Sequence, residues 1–136
     1  MRRSALACFI SLAFFHICLA SEKCVIAYGH LVCNKNPQEA SMAELKIYDK
    51  DAPWPLNWFD PDDLMVYGLP NSNGDFKLAG CARDTDPLPG IKNHPDPFLV
   101  ILHKCNKKEG EMLRYNGTLH FSPLRSNLGD IVLDSR

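Results

Sequence analysis

The stretch HPDPFLVILHKCN, His94 to Asn106, carries an unbroken apolar run from Phe98 to Leu102 and then stops on His103, Lys104 and Cys105. A short apolar run bounded by proline and polar residues has the pattern of a buried β-strand. In strand phase Leu99, Ile101, His103 and Cys105 share one face. That raises three possibilities for the histidine and cysteine: a metal site, half of a catalytic pair, or a structural crosslink. The rest of the chain repeats the strand character. VIAYGHLVC puts Leu31 and Cys33 on one face and Ile26, Tyr28, His30 and Val32 on the other. AELKIYD sets Ala43, Leu45 and Ile47 against Glu44 and Lys46, and NSNGDFKLAG is a turn leading into a strand with Phe76, Leu78 and Gly80 in phase. LRYNGTLHF alternates throughout, with Leu113, Tyr115, Leu119 and Phe121 inward and Arg114, Asn116, Thr118 and His120 outward. GDIVLD is the last run. KNPQEASMAEL has room for one helical turn, and no stretch sustains a helical period. DKDAPWPLNWFDPDD, residues 49–63, reads as one long loop. These runs predict an all-β fold, an antiparallel sandwich of about seven strands in two sheets.

The first twenty residues read as a secretory signal peptide. Arg2 and Arg3 precede an apolar run from Leu6 to Leu19, and small residues at Cys18 and Ala20 set a cut before Ser21. The apolar run falls short of the roughly 20 residues that span a bilayer. The expectation is a signal at 1–20, a single domain at 21–136, and a secreted protein that is not integral to a membrane. Loss of Arg2 and Arg3 leaves thirteen basic against sixteen acidic residues, and no basic stripe of the kind nucleic acid requires. Cys8 and Cys18 leave with the signal. The remaining cysteines are Cys24, Cys33, Cys81 and Cys105, an even number in a small secreted chain, which argues for two disulfides among three possible connectivities.

Three motifs resemble the nematode transthyretin-like family: GHLVCNKNP (Gly29 to Pro37), DPDDLMVYGLPNSNGDFKLAG (Asp60 to Gly80) and DPFLVILHKCN (Asp96 to Asn106). NLGDIVL near the end is a weaker match. The family's Asp-Pro-Tyr-Leu-Lys-Ile-Tyr-His-Asp-Cys strand is similar to the third motif, with Phe98 in place of tyrosine. The chain departs from the family where it has KKEGEMLRY instead of a further cysteine, and in carrying Cys24 and Cys81. The resemblance implies a transthyretin (prealbumin)-like sandwich with the strands of Cys33 and Cys105 in different sheets and those of Cys24 and Cys81 adjacent. Together with strand phase this implies the pairs Cys33–Cys105 and Cys24–Cys81. Oxidised cysteines offer no thiolate to a metal, so no metal or cofactor is expected and His103 reads as a buried or half-buried hydrogen-bonding histidine.

The transthyretin superfamily also includes 5-hydroxyisourate hydrolase, and His30 resembles its first-strand histidine, with His120 a loose second. The enzyme's C-terminal Tyr-Arg-Gly-Ser is missing from VLDSR, and NSNGDFKLAG holds no arginine. The resemblance therefore implies a non-enzymatic secreted module that binds an extracellular protein or lipid, in signalling or bridging. A passive matrix component would call for repeats, which the chain lacks. The candidate contact surface is the proline-stiffened loop bearing Trp54, Trp58 and Phe59; the alternative reading is that both tryptophans fold back to cover the end of the sheet. Asp49, Asp51, Asp60, Asp62 and Asp63 flank it without calcium-loop spacing and read as a solvated acidic rim. NGT makes Asn116 a glycosylation acceptor on the polar face of its strand.

Overall fold

A computed structural model of the protein describes residues 21–50, 62–84 and 95–135. The element order is β1 (Ser21–Val32), α1 (Pro37–Ser41), β2 (Glu44–Asp49), β3 (Asp63–Gly68), β4 (Asp75–Asp84), β5 (Pro97–His103), β6 (Glu111–Arg114) and β7 (Ser126–Val132). The strands form one sheet in the order β4-β1-β7 and a second in the order β3-β2-β5-β6. The seven strands in two sheets agree with the sandwich read from the sequence.

The alternation explains the packing. Val25, Ala27 and Leu31 of β1, Leu45 and Ile47 of β2 and Leu99 and Ile101 of β5 lie fully buried between the sheets. Phe76, Leu78, Leu119, Ile131 and Leu133 complete the core. Gly80 lies where β4 of one sheet approaches β3 of the other. A Cβ there would lie 2.7 Å from the Met65 carbonyl oxygen and 2.8 Å from Val66 Cβ, so glycine lets β3 and β4 close that side.

Four details differ from the sequence expectation. The sandwich is not wholly antiparallel, because β7 runs parallel to β1. The chain reaches β7 by crossing from one sheet to the other, and such a connection lacks the hairpin that forces antiparallel pairing. The run from Leu113 to Phe121 is also not one strand, since β6 ends at Arg114. The Tyr115 amide still bonds to the Leu99 carbonyl, but Leu119 then drops into the core and Phe121 bridges to Val25 of the other sheet. Inward phase persists there without a strand. Third, LMVYG forms β3, at the edge of the four-stranded sheet. A register shift between Ile47 and Tyr48 leaves Met65 and Val66 both half-buried, which blurs its alternation.

Fourth, the acidic loop is shorter than residues 49–63. Asp49 ends β2 and Asp63 opens β3, opposite each other in register. Asp49 continues the inward phase of Leu45 and Ile47, is 1% exposed, and accepts the Asp96 amide at 2.6 Å. It is therefore a pin between β2 and the entry to β5 rather than part of a solvated rim.

Candidate binding surface

The crosslinks organise the two ends of the sandwich. Cys33 and Cys105, just past β1 and β5, are bonded to each other across the two sheets, with Cα atoms 5.9 Å apart and both residues buried. Cys24 and Cys81 are bonded within one sheet, where they face each other directly in the β1–β4 register. This second bond lies on the outer face. Its neighbours there are all complementary cross-strand pairs: Glu22 with Arg83 at 3.1 Å, Ile26 with Ala79, Tyr28 with Lys77, and His30 with Asp75 at 2.9 Å. Such pairs are the unit of sheet stabilisation. His30 is thus the partner of an aspartate on a half-exposed sheet surface. Its hydrogen bond, and a second from Asn71, hold the Asp75 carboxyl below the usual carboxylate range. His120 is exposed on the connection after β6, and its amide donates to Ser126 Oγ at 2.7 Å.

Cys105 is in the crosslink. His103 is 4% exposed, its Nδ1 accepts the Cys105 amide at 3.4 Å, and its Nε2 lies 3.7 Å from Glu111 Oε1. Around them a polar cap closes this end of the sandwich. Asp134 accepts the Lys35 amide at 2.8 Å and the Asn34 side chain at 3.0 Å, and Lys35 Nζ reaches Asn106 Oδ1 at 2.9 Å. Asn106 in turn donates to the Leu133 carbonyl at 3.2 Å and to Glu111. Backbone and side-chain donors hold the Asp134 carboxyl below its ordinary range, the Lys35 amide first. Nothing in the local sequence around Asn106 or Asp134 signals this cap, because its members come from three separated segments. One cluster with metal-ligand spacing exists among the described residues, Cys33, Cys105 and Asp134. Both of its sulfurs are already spent on the bond between them, so no thiolate is left to ligate.

Burial pushes the His103 imidazole below its usual range, against weaker opposite pulls from Glu111 and Asp134. The unfolded histidine takes up a proton near pH 6.5, while the folded one stays neutral to lower pH. Stability should therefore fall as pH drops below about 6.5 and level off once the folded group is also protonated. Thermal melts of the wild type and His103→Gln at pH 7.5 and 5.5 check this. The variant should lose less melting temperature over that interval, and parallel losses would rule the assignment out.

The outer face of the β3-β2-β5-β6 sheet exposes several large apolar side chains. Register places Tyr67, Lys46, Val100 and Arg114 in one row across it, and Glu44, Leu102 and Met112 in the next. Leu64 is 53% exposed, Tyr67 50% and Met112 68%, with Met42 beside them at 62%. Tyr48 and Phe98 stack on this face with centroids 5.7 Å apart. Arg114 lies 3.9 Å over the Phe98 ring and Lys46 5.8 Å over that of Tyr67. The aromatic residues Trp54, Trp58 and Phe59, expected to form the contact loop, lie outside the described residues, as do residues 1–20. Asn116 is exposed, on the connection rather than on a strand. Among the described residues no helix is long and apolar enough to cross a membrane.

Comparison with known proteins agrees with this architecture. Two Caenorhabditis elegans proteins, transthyretin-like protein 5 and transthyretin-like protein 2, are 37% and 34% identical over 78 and 77 residues. Each alignment covers 57% of this chain and 46% of the relative, so the chain matches about half the length of those two proteins. Transthyretin-like protein 16 of the same organism is 29% identical over 112 residues, covering 82% of this chain and 74% of the relative. Among solved structures, a 9R-lipoxygenase from Cyanothece aligns with a TM-score of 0.42 at 16% identity, covering 81% of this chain and 16% of that one, a likeness from which nothing follows. Proteins of the transthyretin-like type are typically non-enzymatic structural or binding proteins, in keeping with the non-catalytic reading of the sequence. Residues 28–117 match the model of the transthyretin-like family, and the chain belongs to that family.

Proposed function

We propose that the chain is a secreted, non-catalytic module that engages an extracellular protein through the outer face of the β3-β2-β5-β6 sheet. The exposed apolar side chains Leu64, Tyr67 and Met112, spread over this face with the half-buried Phe98 and Leu102, carry this reading. Large contiguous apolar patches on soluble domains mark interaction sites more often than idle surface. Arg114 lies on the same face, where Lys46 is paired with Glu44 at 3.4 Å, so the partner's matching surface is apolar with a carboxylate to meet Arg114. The paired cysteines and the family suit an extracellular location.

The test uses Tyr67→Glu and Met112→Glu, both on the exposed face. Wild type and variants are immobilised against extracellular fluid and against neutral and anionic phospholipid vesicles. The proposal expects one protein partner retained by the wild type and weakened roughly tenfold or more by both variants, with melting unchanged. Equal capture by the variants would overturn it, and so would retention of vesicles in place of protein. The loop of Trp54, Trp58 and Phe59 joins β2 to β3 and so leaves from this same sheet. If it extends the contact, Trp58→Ala should weaken the same partner by on the order of 1–2 kcal/mol without lowering the melting temperature.

The exposed NGT sequence gives the module a glycosylation acceptor at Asn116. Asn116 is exposed, so occupancy should leave the fold intact. Protein secreted from animal cells should lose mass with an N-glycanase, and Asn116→Gln should remove that loss.

A further inference from the structure

We propose that the Cys24–Cys81 bond is a surface site of thiol–disulfide exchange, open to small extracellular thiols of the glutathione type, while Cys33–Cys105 stays closed to them. The two bonds differ in access. Cys33 and Cys105 are 3% and 6% exposed, beneath the polar cap of Lys35, Asn106 and Asp134. Cys81 is exposed and Cys24 half-buried. β4 is the end strand of its sheet, so Cys81 has β1 on one side only. Cys24 has the Phe121–Ser122 segment on its other flank, where the Ser122 amide bonds to the Cys24 carbonyl at 2.8 Å. Cys81 also borders an open depression of about 470 Å³ with Glu22, Asp63, Leu64 and Arg83. That is within the roughly 300–1,000 Å³ typical of small-molecule sites.

Exchange depends on a thiolate reaching a sulfur. The incoming thiolate attacks Cys81 Sγ, the bond between the two protein sulfurs breaks, and the electron pair leaves on Cys24 Sγ, which takes a proton from water. The product is a mixed disulfide on Cys81 and a free thiol at Cys24. A second thiolate attacks the sulfur of the bound thiol and releases the Cys81 thiolate, which is protonated in turn. In sum two external thiols become one external disulfide, and the protein bond becomes two thiols. The strands stay paired afterwards. Register runs from Ser21↔Asp84 to His30↔Asp75, so the ladder holds β1 to β4 on both sides of the opened bond.

The secreted chain is incubated with reduced glutathione in native buffer, quenched by alkylation at intervals, and peptide-mapped. The expected result is a glutathionyl adduct on Cys81 and alkylation of Cys24, at least about tenfold faster than any modification of Cys33 or Cys105, as access-controlled exchange implies. Far-UV circular dichroism should not change over that phase. Cys24→Ser with Cys81→Ser should remove the fast phase, and the wild-type time course decides alone if that variant does not fold. Reaction of both pairs at one rate, an adduct on Cys24 in place of Cys81, loss of the β signal as the first bond opens, or no reaction without denaturant would each overturn the proposal.

Discussion

Replacing Cys33 and Cys105 together by alanine is expected to lower stability by about 4 kcal/mol, and the melting temperature by on the order of 15 °C. The chain-entropy contribution comes from closing a separation of 72 residues. By that term alone the bond between Cys24 and Cys81, with a separation of 57, would be worth nearly as much. The native state separates the two. The buried sulfurs fill space under the cap between the sheets, and removing them leaves a cavity whose lining loses contacts. The other bond lies on the outer face, where its removal leaves a surface dimple that water fills. The loops also overlap in sequence, so each closure shrinks what the other adds. The buried pair should therefore cost more than the surface pair, with Cys24→Ala and Cys81→Ala together lowering melting by clearly less. Calorimetry of both double variants checks the order. Equal losses would mean that unfolded-state entropy sets the whole effect and that native packing around Cys33 and Cys105 adds nothing.

The sequence signals that succeeded share one physical basis, burial on one face of an extended chain. Leu45, Ile47, Leu99 and Ile101 alternate with polar or outward residues and all lie fully buried. Phase and the family resemblance also lead to the same cysteine pairs that are bonded in the structure. What the sequence hid depends on contacts between distant segments. Asp49 looks like one more acid beside a loop rich in them, yet its inward phase in β2 and the Asp96 amide make it a buried pin. Edge strand β3 carries no clean alternation because its register with β2, its one hydrogen-bonded neighbour among the described residues, shifts. The parallel run of β7 is set by a crossing between sheets, which no local pattern encodes. The apolar outer face was hidden for a related reason. Phe98, Val100 and Leu102 read as part of a buried run, and only the register that sets them beside Tyr67, Lys46, Arg114 and Met112 assigns them to the outer face, with Val100 still buried there and Phe98 and Leu102 half-buried.

That two-faced reading of β5 can be tested with one residue type on one strand. Leu99 is fully buried between the sheets, while Leu102 is half-buried on the outer face. Leu99→Ala removes the same atoms as Leu102→Ala, so the intrinsic change is equal and only the surroundings differ. At Leu99 the gap lies in the closely packed core between the sheets, where the neighbours relax only in part. The expected loss is about 2–5 kcal/mol, combining lost transfer energy with a retained cavity. At Leu102 no described strand packs above, water reaches the truncated site, and the loss should be about 1 kcal/mol, a partial transfer term alone. Denaturant melts of the two variants at one pH measure both values directly. If Leu102→Ala costs as much as Leu99→Ala, the outer face is covered in solution, and the exposed patch assigned to partner binding is already occupied by another part of the protein or by a second copy of it.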